Sequence, residues 1–313
     1  MTRIAIGIQV ITFLVAVSGV SPAGTLYVPG QYATIEAALA VAVADDVIEV
    51  AAGTYPEHDL AMVSGVTLRG ATGDTVDVII DGENVDRVLS CMSVNAQTRI
   101  EDLTIMHGTA PAGSGGGGIF FYATAMTMSN CIFRENVAQG GAAVYLYGSD
   151  ATLENCVFSR NSDLVYGGTV AVYDHQPHFV NCTICGNTTN GGGSVTIFDG
   201  SSIFDNCIIA YDDTGYGVER AAGTSTFSNC DVYGNYQGEW LGTTSQHGIN
   251  GNFSQDPEFC WGDPDEHWSW GIQSDSPCAA AHSGVGLIGA RDVDCTDVAV
   301  TSFSWGRVKT LYR

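Results

Sequence analysis

Lysine is nearly missing from this chain. Lys309 is the only one in 313 residues, and 11 basic residues in all stand against 34 acidic ones, a net charge of −23. Phosphate backbones and anionic lipid headgroups are held by clustered Lys and Arg, so this composition argues against nucleic acid or an anionic membrane as partner. Charged residues of both signs make up only 14% of the chain while apolar residues reach 45%. That balance separates it from disordered acidic chains, which lack the apolar surface to fold. Beyond residue 20 there is no apolar run long enough to span a bilayer. What is abundant is glycine, 39 residues, which together with the apolar content predicts many tight turns between short buried strands.

The start of the chain reads as an export signal. Arg3 supplies a positive end, Ile4–Val20 is apolar, and Ser21-Pro22-Ala23 has the small-x-small pattern of a cleavage site. A membrane anchor is the alternative, but no basic stop-transfer segment follows. Removal of residues 1–23 leaves one elongated domain, expected to be secreted, extracellular or on the cell surface. Its ten cysteines then sit where disulfides are permitted.

One phrase recurs along the middle of the chain: Asn-Cys-x-apolar. It begins at Asn130-Cys131, Asn155-Cys156, Asn181-Cys182, Asn206-Cys207 and Asn229-Cys230, and six residues after each Asn comes Asn136, Asn161, Asn187, Asp212 or Asn235. A fixed period of about 25 residues marks one structural unit stacked on itself. Apolar residues alternate within each unit and glycine pairs break it, so the unit is made of short strands. Stacking turns each strand into one member of a parallel sheet at about 4.8 Å per coil. Equivalent residues then lie above one another. The expected structural ladder is a hydrogen-bonded column of Asn130, Asn155, Asn181, Asn206 and Asn229. Beside it Cys131, Cys156, Cys182, Cys207 and Cys230 pack as buried small apolar groups. Cys182-x-x-Cys185 lacks the helix that activates a redox pair.

The flanks complete the picture. Tyr32-Ala33-Thr34-Ile35-Glu36-Ala37-Ala38-Leu39, Asp46-Val47-Ile48-Glu49-Val50, Gly53-Thr54-Tyr55-Pro56-Glu57 and Val66-Thr67-Leu68-Arg69-Gly70 resemble the opening of the pectin-lyase-like right-handed parallel β-helix superfamily. Asp256-Pro257-Glu258-Phe259 and Ser276-Pro277-Cys278 resemble its terminating segment. The resemblance implies an all-β solenoid with a helical N-terminal cap and an irregular C-terminal cap. The expected layout is a domain over 24–295, with cap 24–60, coils 61–236 and C-terminal cap 237–295, followed by a tail over 296–313. Trp305–Arg313 resembles the C-terminal sorting tail of some secreted bacterial proteins. A disulfide is expected between two of Cys260, Cys278 and Cys295, without a choice of pair. Activity does not follow, because this fold hosts lyases, hydrolases, esterases, adhesins and inert surface proteins.

Candidate functional residues come from aligning the coils on their Asn. Ile119, Val144, Val170 and Val195, with Phe121, Leu146, Val172 and Ile197, fall on the inner face. Tyr122, Tyr147, Tyr173 and Phe198 must then face outward, with Phe120, Tyr145, Ala171 and Thr196 on the same face. An outward aromatic column suits the stacking of sugar rings, which makes Tyr122, Tyr145, Tyr147, Tyr173 and Phe198 the candidate binding residues. One position further along, Asp174 and Asp199 stack as carboxylates that must share a proton or a cation, with Ca2+ as the possible ion. The resemblance to pectate-lyase-like enzymes makes Asp174, Asp199 and Arg220 the candidate catalytic set.

Three functions therefore stay open. One is a monomeric glycan-associated surface protein without a complete catalytic set. Another is a polysaccharide lyase or glycoside hydrolase acting at the same face. The third is a structural adhesin or spacer.

Overall fold

The computed structural model describes residues 23–260, 271–293 and Cys295. Nearly all of the expected export signal and the whole 296–313 tail lie outside the described residues. Those described form three long parallel sheets of nine, eight and eight strands and one short two-stranded sheet, Val137–Ala138 with Ser162–Asp163. The first runs from Thr25–Val28 to Thr226–Ser228, the second from Gly53–Pro56 to Asp231–Tyr233, and the third from Leu60–Ala61 to Gly238–Leu241. Strand pairing thus reaches into both flanking segments, beyond residues 61 and 236. Each strand pairs with its counterpart one coil on, as Ile119 with Val144, Val144 with Val170, and Val170 with Val195. No helix among the described residues is long and apolar enough to cross a membrane.

The interior follows from this stacking. Under the first sheet Phe179, Phe204 and Phe227 lie ring on ring, with centroids 4.6 and 4.7 Å apart and planes within 2° and 6°. Phe133 and Phe158 do the same under the second sheet at 5.1 Å. All five rings are essentially inaccessible to water. The cysteine column is buried with them, each Sγ donating to the carbonyl two residues earlier, as Cys131 to Ser129 and Cys207 to Asp205. Burial pushes the Cys131, Cys182 and Cys207 thiols up, which keeps them protonated. Cys185 lies outside this column, packed with the C-terminal segment.

The asparagine ladder is the main correction to the expected architecture. Asn130, Asn155, Asn181, Asn206 and Asn229 do stack, and Asn130 Nδ2 donates to Asp102 Oδ1 one coil earlier, but each sits at a left-handed corner between the first and second sheets, with φ between 50° and 54°. Asparagine belongs there because it tolerates that conformation better than other side chains. The axial hydrogen-bond ladder runs through the residues six positions later. Asn136 donates its backbone N–H and Nδ2 to Asn161 Oδ1 at 3.1 and 3.0 Å, and Asn161 donates likewise to Asn187 at 3.0 and 3.1 Å. The Asn187 N–H then reaches Asp212, and the Asp212 N–H reaches Asn235. These side chains are buried, so satisfying backbone groups inside the turn, rather than tolerating a φ, selects the amide here. Burial pushes the Asp212 carboxyl well above its ordinary range, so it keeps its proton, as the neutral counterpart of its neighbours.

Both ends are covered. The short helix Ile35–Leu39 closes the first coil, its start capped by Thr34 and by Glu57, which accepts from the N–H groups of Ile35 and Glu36. At the other end the chain turns back along the outside of the second sheet. Ile288 packs with Ile208, Ala290 with Ile132 and Val157, and Arg291 donates to Thr75. A disulfide joins Cys260 to Cys295, leaving Cys278 as a buried thiol that donates to Asp231.

That contact carries a pH prediction. Burial pushes the Asp231 carboxyl up to about 8, against about 3.9 in an unfolded chain. Its neutral form therefore supports the fold fully below pH 4, and that support is lost as the pH rises towards 8. In thermal melts, Asp231→Asn should gain on the native protein between pH 4 and 8 by at least about 2 °C, roughly the shift that 1 kcal/mol makes in a domain of this size. Parallel pH profiles would contradict the assignment.

Candidate functional site

The outward column of the third sheet is the one extended aromatic surface among the described residues. Tyr122 and Tyr147 stack nearly parallel, with centroids 5.7 Å apart. Tyr147 and Tyr173 follow at 6.2 Å, and Tyr173 and Phe198 at 4.0 Å. Parallel pairing forces one ring above the next, since Tyr122 is registered with Tyr147 and Tyr147 with Tyr173. A second file begins with Phe120 and Tyr145, 5.5 Å apart. It thins at Ala171, the next residue in register, and Tyr173 leans across to stack on Tyr145 at 5.0 Å. Burial, with the neighbouring Tyr145, pushes the Tyr173 phenol up, so it remains a proton donor.

Loops between the second and third sheets raise one wall over this floor. Gly113–Gly115, Gln139, Gly140, Val165 and Tyr166 enclose with the tyrosines a groove of about 520 Å3. Gly115 has to be glycine, because a Cβ there would lie 2.1 Å from the Tyr145 ring and 2.6 Å from the Gly140 carbonyl. Asp163 fixes the Tyr166 loop from beneath, buried and accepting from the N–H groups of Val165 and Gly168. Tyr166 packs edge-on against Phe198 and donates its hydroxyl to Glu219. The Glu219 carboxylate pushes the Tyr166 phenol up to about 12. Glu219 is 7% exposed, and its second oxygen, Oε2, has no hydrogen-bond partner among the described residues.

Tyr122 and Tyr147 are 41% and 48% exposed, Tyr145 and Tyr173 are half-buried, and Phe198 lies under Tyr166. The described part of the C-terminal segment covers the second sheet and leaves this face open. The expected catalytic residues are placed differently. Asp174 and Asp199 sit on adjacent coils at the strand ends, but one oxygen of each accepts a backbone N–H, from His175 and Gly200 respectively, both at 2.8 Å. The Asp174 side chain is 71% exposed. Among the described residues no three His, Cys, Asp or Glu side chains are grouped to hold a metal ion. Arg220 does not join the pair. It is in register with Ile197, two positions before the Asp199 level. Pattern reading missed Tyr166 and Glu219. The apolar triplet Leu164-Val165-Tyr166 before the Gly167-Gly168 pair was the available signal for the first, since it leaves three large side chains exposed in a loop.

A family model described as a right-handed β-helix region matches residues 89–254, the stretch that carries the groove. No curated protein and no solved structure matches the chain.

Proposed function

Because the chain belongs to the right-handed β-helix family, whose scaffold serves many unrelated chemistries, we propose its function from the groove alone: an exported protein that binds a polysaccharide or cell-surface glycan along its third sheet. The observation that supports this reading is the run of outward rings from Tyr122 to Tyr173, with Tyr122 and Tyr147 open to solvent. Apolar faces of this kind are rarely left uncovered on a protein surface without a partner. The rings offer broad apolar surface, and the Tyr hydroxyls, Gln139 and Ser114 add donors and acceptors around it. One oxygen of each candidate carboxylate, Asp174 and Asp199, accepts a local N–H and Arg220 stands two positions away from their level, so the candidate catalytic set is not assembled and binding is the better supported role.

The test is retention on insoluble and soluble polysaccharides of the native protein and of a Tyr122→Ala/Tyr147→Ala variant. Retention that falls with the two rings supports the reading. Equal retention of both proteins, or none by the native one, overturns it.

A further inference from the structure

We propose that the glycan taken by this groove is a neutral, hydroxyl-rich chain and not a polyuronate. The inference rests on the glycan reading above and narrows it by charge. Every residue that lines the groove is uncharged. The cation that packs behind this lining, Arg87, is already committed: Nη2 donates to Ser114 Oγ and the Gly115 carbonyl, Nε donates to the Gly116 carbonyl, and the guanidinium lies 4.9 Å over the Phe120 ring. Its fork is therefore turned into the wall, where it holds the Gly113–Gly115 loop against the floor.

The carboxylates nearby have the opposite effect. Glu219 and Asp163 lie beneath the Tyr166 loop, and neither is in a salt bridge among the described residues. A polyuronate carries one carboxylate per sugar. Laid on this floor, each would lose water and find no cation, at a cost that stacking does not offset. The long-range field of a chain with net charge −23 acts in the same direction. A neutral chain meets none of these costs. Its C–H faces cover the tyrosine rings, and its hydroxyls pair with phenols, with the Gln139 amide and with the Ser114 hydroxyl, all of which donate as well as accept.

The experiment is native affinity electrophoresis of the full chain in gels containing hydroxyethyl cellulose, a mixed-linkage β-glucan, a galactomannan, polygalacturonate or alginate. Each gel is run with EDTA or with calcium, at low and at high salt. High salt screens the long-range field but supplies no cation to the groove. At least one neutral gel should retard the protein, and polyuronate gels should do so about tenfold less or not at all under every condition. Gln139→Arg, which adds a cation to the wall, should gain retention in polygalacturonate. Polyuronate retention by the native protein equal to or above that in the neutral gels, with or without calcium, overturns the neutral-chain inference and leaves glycan binding standing. Retention in no gel overturns both.

Discussion

Asn161→Ala should lower the stability of this protein by about 3–5 kcal/mol, although it removes neither a charge nor a large side chain. Asn161 Oδ1 accepts from the N–H and Nδ2 of Asn136, and its Nδ2 reaches the carbonyls of Phe133 and Ser159 and the Asn187 side chain. Alanine leaves several of these groups unpaired where water does not reach, and each costs about 1–3 kcal/mol. The residues on either side in the ladder, Asn136 and Asn187, are also fully buried, so the structure cannot relax by admitting solvent. At about 2–4 °C per kcal/mol, the melting temperature followed by circular dichroism should drop by roughly 10 °C. Asn155→Ala is the control. It removes a side chain whose role is to tolerate φ 53°, and should cost about 1 kcal/mol. Equal losses at the two positions would show that the ladder has been assigned to the wrong column.

Removing the two exposed rings should have the largest effect on binding. Tyr122→Ala with Tyr147→Ala takes out the open part of the stack while leaving the inner face of the strands untouched. Aromatic contacts at the centre of an interface cost upwards of 1 kcal/mol each when truncated. Two of them should weaken glycan affinity by about 30-fold or more, at about 1.4 kcal/mol per tenfold. The rings stack mainly on each other and on solvent, so the melting temperature should change by only a few degrees. Lost binding together with a collapse of the melt would mean that the column is structural. Gly115→Ala reaches the same groove from its wall, by pushing Tyr145 off the floor.

Much of this was legible in the chain, because a solenoid writes its geometry as a period. The spacing of Asn130, Asn155 and Asn181, 25 and then 26 residues, placed the coils, and strict alternation then put Tyr122, Tyr147 and Tyr173 outside and Val144 and Leu146 inside. Two things were not legible. Both asparagine columns recur with the same period, so spacing alone does not tell a left-handed corner from a buried amide ladder; that distinction depends on burial. Tyr166 and Glu219 meet across a loop and two coils, 53 residues apart. Their contact depends on how the Asp163 turn folds over the sheet, and no repeat encodes that. Arg220 is a different case: it stands nine residues before Asn229 as Ile197 stands nine before Asn206, so the count itself sets it two positions short of the Asp199 level, where strand pairing places it.

A crystal of the native protein soaked with a neutral oligosaccharide would test the central assertion most directly. Sugar rings lying face-on against Tyr122 and Tyr147, with the chain running along the solenoid axis beside the wall that carries the Gly113–Gly115 loop and Tyr166, is the expected result. Saccharide density on another face, with the tyrosine column bare at saturating ligand, would contradict it.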